Sequence, residues 1–306
     1  MKTKILTLTL LLLSANLFSQ INNEDSTVQV IAYWDLGEKQ DYTVIKSKTK
    51  VVNGDTISID SVRYDVELLV VDSTANSYTM QWIYKDVFSD NKNPFVVQTA
   101  KTVKGLKILY KTDEMGVFES VMNWEEINEY IQKQYDSFRD ILKNYPEMVE
   151  IVNKTQAIFA NKNVLESSGI KEIKQFHNFY GGAFKLDEIV EAQMETPTPF
   201  SEEPMNTDVS VVLNSIDSEN DFYVMESRHS IDEEQLADVA FEAIKKIGEK
   251  IDMGSMPKKE DFIGLANETY IVSSIHNWGW IIYSELTTTI TSGNTQSIEQ
   301  CSIEMK

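Results

Sequence analysis

The sequence predicts an α+β fold, a curved antiparallel β-meander with amphipathic helices packed on one face. Apolar side chains alternate with polar ones along several stretches: Val62, Tyr64, Val66, Leu68 and Val70 are interleaved with Arg63, Asp65 and Glu67. A period of two places the first set on one face of a sheet. Elsewhere the apolar positions take helical spacing, as in Ile127, Ile131, Tyr135, Phe138 and Leu142. Sheets with one apolar face and helices with one apolar stripe bury both by packing against each other.

The chain opens on an export signal. Lys2 and Lys4 precede the apolar run Ile5 to Leu13, and Ser14 to Gln20 is more polar with small residues near the expected cut after Ser19. That run is shorter than the ~20 residues of a bilayer span, and no later segment approaches it, so no transmembrane segment is expected. Cys301 is the single cysteine. It lies far from the position a lipid-anchored N-terminus requires, and it leaves no intramolecular disulfide, so the core must hold the fold. The expected location is exported, with the periplasm favoured over secretion. A net charge of -20 repels nucleic acid and anionic surfaces.

After a polar leader, residues 20–26, a single α+β domain is expected over 27–306. It divides into two similar halves, 27–195 and 207–306, around the Pro-rich loop 196–206. Asn53-Gly54-Asp55 predicts a hairpin turn between Tyr42 to Val52 and Thr56 to Val71. Asp72 to Asn76 makes the next reversal, after which Tyr78, Met80, Trp82 and Tyr84 share a face. The meander continues through Leu106 to Thr112, turns at Asp113-Glu114-Met115-Gly116 and returns to Met122. Asn123 and Glu126 form a capping-box pattern at the head of the first helix. A second helix opens at Pro146 and carries Met148, Ile151 and Phe159 inward. A third covers Lys171 to Tyr180 and stops at Gly181-Gly182. Strands follow at Asp208 to Ile216 and Phe222 to Ser227. Ser230 with Glu233 predicts a capped helix whose stripe is Leu236, Val239, Ala240, Ala243, Ile247 and Ile251. Thr269 to Ile275, Trp278 to Ile290 and Ser297 to Met305 read as closing strands.

The Gly37-Glu38-Lys39…Tyr42 opening, the long meander and the Asp113-Glu114-Met115-Gly116 step into a helix resemble uncharacterised exported proteins of Bacteroidota. The layout is similar to the LolA/LppX-like class, and that resemblance implies a curved sheet around helices, whose concave side often holds acyl chains. It carries no functional residue onto this chain.

Catalytic and metal signatures are missing from the sequence. His177, His229 and His276 fall in no zinc spacing. Asp217-Ser218-Glu219-Asn220-Asp221 alternates oxygen ligands, but Phe222 stands where a calcium loop needs glycine, and a hairpin turn accounts for it. There is no G-x-S-x-G, and twelve glycines in the chain leave little material for phosphate loops. Acidic pairs such as Glu125 with Glu126 and Glu233 with Glu234 sit where helix N-termini favour them. The expectation is a protein without cofactor or metal and with a non-catalytic role, binding a hydrophobic or lipid-like ligand. Tyr78, Trp82, Tyr84, Trp278 and Trp280 are the candidate ligand-binding residues, as aromatic ridges on sheet faces. An envelope interaction or scaffold protein with a packed core, and a hydrolase using a carboxylate pair, are the alternatives.

Overall fold

The computed structural model describes residues 20–89, 91, 97, 100–141, 149, 153, 160–196, 198, 201, 203–248 and 258–306. The export signal, Leu142, most of the helix expected from Pro146, Ile251 and, in the proline cluster, Pro197, Pro199, Phe200 and Glu202 lie outside these residues.

Antiparallel sheet dominates. The strands of the main sheet are β3 (Lys39–Val52), β4 (Asp55–Thr74), β5 (Ser77–Phe88), β6 (Lys107–Asp113), β7 (Phe118–Val121), β9 (Ile189–Thr196), β10 (Met205–Asp217), β11 (Phe222–Ile231), β12 (Ala266–His276), β13 (Ile281–Ser292) and β14 (Thr295–Met305). They form one curved, unclosed eleven-stranded sheet in the order β7-β6-β5-β4-β3-β14-β13-β12-β11-β10-β9. Each meander pairs consecutive strands, and the last strand joins the two: β14 lies antiparallel to β3 from Thr295↔Val52 to Met305↔Tyr42. The β3–β4 hairpin turns on Asn53 and Gly54 at φ of 53° and 86°, the two positive values that a type I′ turn demands and that Asn-Gly supplies with least strain.

Three short strands were not expected from the sequence. β1 (Ile21–Asn22), β2 (Thr27–Gln29) and β8 (Ala183–Lys185) make a second sheet in the order β1-β2-β8. The polar leader is therefore structured, and Gln20 is buried, accepting from the Tyr223 hydroxyl at 2.5 Å. From β2 onward, Val28, Val30, Ala32 and Trp34 alternate inward, all nearly inaccessible. Val30 exchanges backbone bonds with the Gly181-Gly182 turn, and Ala32 N–H donates to Met115 O at 2.9 Å. Trp34 is thereby delivered to the centre of the core.

The helices are α1 (Trp124–Ile141), α2 (Lys162–Val164, running on through a wider turn over Leu165–Gly169), α3 (Lys171–Phe176) and α4 (Glu233–Gly248). Two caps differ from the sequence reading. The Asn123 side-chain oxygen accepts from Leu109 N–H at 2.8 Å, tying β6 to the helix start. α4 begins after Asp232, whose carboxylate accepts from Gln235 N–H at 2.8 Å. Ser230 remains in β11 because its strand continues to pair with β12. α3 ends at Phe176 rather than Tyr180, and it packs on β13 and β14.

Gly279 closes the β12–β13 turn at φ +82°, and an added Cβ would lie 2.6 Å from Ile31 O and 3.1 Å from Ala32 Cα. Both obstacles are backbone, so neither can swing aside. Gly279→Ala is expected to destabilise the protein by about 1–3 kcal/mol, read as a lower denaturant midpoint at unchanged slope. A neutral result would place the Ile31–Ala32 segment elsewhere.

Candidate functional site

Period two along the strands and the pairing register together define rungs across the core face of the sheet. Two neighbouring rungs stay partly open. One runs Ile271, Leu286, Cys301, Lys46, Val62 across β12, β13, β14, β3 and β4; the next runs His229, Thr269, Thr288, Glu299, Lys48, Asp60 from β11 to β4. With α3 and the turn after it as the opposite wall, they enclose a groove of about 590 Å³. The first rung is apolar apart from Lys46 and the second is polar. The groove is thus split lengthwise into a mostly apolar floor and a charged margin, to which α3 adds Lys171 and Lys174.

An ion pair between a buried carboxylate and a half-exposed lysine fixes the wall to the floor. Glu172 of α3 is 1% exposed, yet its Oε1 receives Lys46 Nζ at 2.7 Å and the Tyr84 hydroxyl. Burial alone would raise the Glu172 pKa, but the Lys46 charge and these hydrogen bonds outweigh it and hold the carboxyl below its ordinary value. Burial likewise opposes the Lys46 charge, and Glu172 overcomes it, so the ammonium holds its proton more tightly than usual. One turn on, Gln175 Nε2 donates to Ser284 Oγ and Cys301 O, both at 3.0 Å. Burial pushes the Cys301 thiol up to about 12, which makes it a poor nucleophile. Among the described residues no three His, Cys, Asp or Glu side chains gather as a metal site.

Past the deep end of the groove the core closes around an aromatic cluster. Phe176 lies 5.6 Å from Tyr42, 6.3 Å from Trp82 and stacks on Tyr180 at 6.3 Å. Trp34 meets Tyr78 at 5.3 Å, His177 at 5.9 Å and Trp280 at 5.0 Å. Trp82 and Trp280 are thus surrounded by side chains, and Trp280 Nε1 donates to Glu38 Oε1 at 2.6 Å. Tyr78 is half-buried beside Trp34, and Tyr84 touches the groove through Glu172. Trp278, expected in a strand ridge with Trp280, stands instead in the turn before β13. It is 64% exposed and packs against His276 at 4.9 Å, because Gly279 reverses the chain between the two tryptophans.

Sequence reasoning did not single out Lys46, Glu172, Gln175, Trp34 or Phe176. The alternation of Val28, Val30, Ala32 and Trp34 was a legible signal for one of them. For Lys46 and Glu172 the adjoining apolar residues mark a core-facing position, but their pairing is tertiary.

A wider depression of about 960 Å³ lies over Glu191, Ser210, Arg228, Tyr270 and Thr287. None of its lining residues is buried, which makes it a less defined site than the groove. The Asp217 turn is a hairpin connection: its carboxylate accepts from Glu219 and Asn220 N–H, both at 3.1 Å.

No protein-family model and no curated protein matches the chain. Among solved structures, lipovitellin, described for its lipid–protein interactions, aligns at TM-score 0.38 and 9% identity over 89% of this chain, which spans 25% of lipovitellin. A Bacteroides fragilis protein with a YmcC-like fold aligns at TM-score 0.23 and 9% identity, over 90% of this chain and 99% of that one. A DUF1329 family protein from Desulfovibrio piger aligns at 0.16 and 6%, over 88% and 86%. None of these likenesses amounts to a shared fold, and none carries a function to this chain. Among the described residues no helix is long and apolar enough to cross a membrane.

Proposed function

We propose that this chain is an exported, non-catalytic binding protein, and that the groove beside α3 holds a lipid-like amphiphile. One observation carries the reading: an apolar rung and a polar rung lie side by side in one groove of about 590 Å³, a size within the ordinary range for small-molecule sites. A ligand lying across the strands would set hydrocarbon on Ile271, Leu286 and Val62 and its polar side toward Lys48, Thr288 and Lys171. Of the aromatic candidates, Tyr84 serves this site by holding Glu172 under the groove. Trp82 and Trp280 support it from deeper in the core, Tyr78 from the flank of Trp34, and Trp278 would act only as an exposed contact.

The packed aromatic centre favours a second reading, an envelope interaction protein that binds no small molecule. Titration with a fluorescent fatty acid, together with native mass spectrometry of gently purified protein, separates the two. Saturable binding is expected, weakened at least about tenfold in Leu286→Arg, which places a charge on the floor. If the folded wild-type protein takes up no acyl probe and carries no lipid, the second reading replaces the first.

A further inference from the structure

We infer that β9 is the docking edge for a second copy of this chain, pairing antiparallel with its own counterpart about Ala192. The two ends of the large sheet are built differently. β7 is four residues long and passes at once into α1, a short edge of the kind that resists pairing. β9 is eight residues long, contains neither lysine nor proline, and is exposed at every position but its last. It carries Ile189 at 64%, Val190 at 44% and Met194 at 46% exposure. Among the described residues no strand pairs with its outer side, so its outward backbone donors and acceptors form a template for strand addition.

The residues of β9 select the partner and the register. Pairing with β10 and β11 places Val190, Ala192 and Met194 on the core face and Ile189, Glu191, Gln193 and Glu195 on the outer face. Two antiparallel copies related by a two-fold axis normal to the sheet keep like faces together, so the axis must pass through a residue position. Centred on Glu191, that carboxylate faces its own copy. Centred on Gln193, Glu191 faces Glu195. Centred on Ala192, Glu191 faces Gln193 and Ile189 faces Glu195, while Val190 meets Met194 on both sides of the axis. This register pairs the seven residues Ile189 to Glu195 with no carboxylates opposed, and it joins Val190, Ala192 and Met194 of the two copies into one apolar strip across the junction. The contact is isologous and closes at two copies, because β7 offers no comparable edge.

Sedimentation of the full-length chain over the micromolar range should report a species of twice the chain mass. Val190→Lys, an exposed substitution, should weaken association by about tenfold or more while leaving unchanged the thermal midpoint read at concentrations below the association range. Ala192→Cys should form an intermolecular disulfide under mild oxidation. Glu195→Cys, opposite Ile189 in this register, should not, and the half-buried Cys301, on β14 five strands in from this edge, gives the trap a low background. A monomer throughout the range overturns the inference, as does a dimer that Val190→Lys leaves intact or that Glu195→Cys traps better than Ala192→Cys. A monomer that instead takes up an extended peptide on β9 also overturns it, assigning the edge to another protein. None of these outcomes depends on ligand in the groove.

Discussion

Replacing Phe176 with alanine is expected to cost about 3–5 kcal/mol of stability, read as a lower midpoint in denaturant with little change in slope. Phe176 is 1% exposed, at the C-terminal end of a six-residue helix too short to hold itself together. Its ring fills the space between Tyr42 and Trp82 of the sheet, Trp34 of the N-terminal segment and Trp280 at the entry to β13. These rings are held by different strands, so they cannot collapse together into the void, which places the loss in the upper part of the range for such truncations. Phe176→Leu, which keeps most of the volume, should cost less than about 1.5 kcal/mol. A loss below about 1 kcal/mol for the alanine variant would mean that α3 is not seated on the sheet, and the groove would lose its wall.

Acidification is expected to weaken the fold between pH 6.5 and 4 through His177. Its Nδ1 donates to Gly116 O at 2.7 Å and its Nε2 accepts from the Tyr110 hydroxyl at 3.0 Å, an arrangement only the neutral ring can make. Burial lowers its pKa from 6.5 to about 4. Between those values the unfolded chain binds a proton that the folded chain refuses, so falling pH drains stability by about 1.4 kcal/mol per unit, on the order of 3 kcal/mol in all. Burial depresses His229 in the same direction. Glu172 enters lower: its depressed pKa contributes stability above its ordinary value of 4.5 that is lost as pH falls through the folded value. His177→Asn can keep the donor to Gly116 but cannot take up a proton. It should flatten the pH dependence of the unfolding free energy above pH 4.5 while lowering its plateau. A variant whose slope matched that of the wild-type chain would move the acid sensitivity to another group.

How far the fold was legible in the sequence follows from the range of the forces involved. Val62 to Val70 and Tyr78 to Tyr84 announce their strands because alternation is a local pattern, and Asn53-Gly54 announces its turn because the positive φ values are a property of those two residues. β9 was missed for the opposite reason. Its sequence, Ile-Val-Glu-Ala-Gln-Met-Glu-Thr, has weak alternation because neither face is buried, and only pairing with β10 holds it extended. Asn123 and Ser230 fit a cap pattern, yet the first bonds Leu109 and the second stays in its strand. In both cases a neighbouring strand competes successfully for the same group.

The sequence by itself determined that this is a strand-rich chain with a few amphipathic helices and a self-sufficient core, since one cysteine and apolar periodicity are countable residue by residue. Its export remains an expectation resting on residues 1–19. Only the tertiary structure decided that β14 joins the two meanders into one sheet, that Trp34, Phe176 and Trp280 meet, and that Lys46 faces Glu172 beneath a groove. Each of those depends on register. Register arises from the summed burial of a whole strand face against its neighbour, and the partners lie more than a hundred residues apart, where no local pattern reaches.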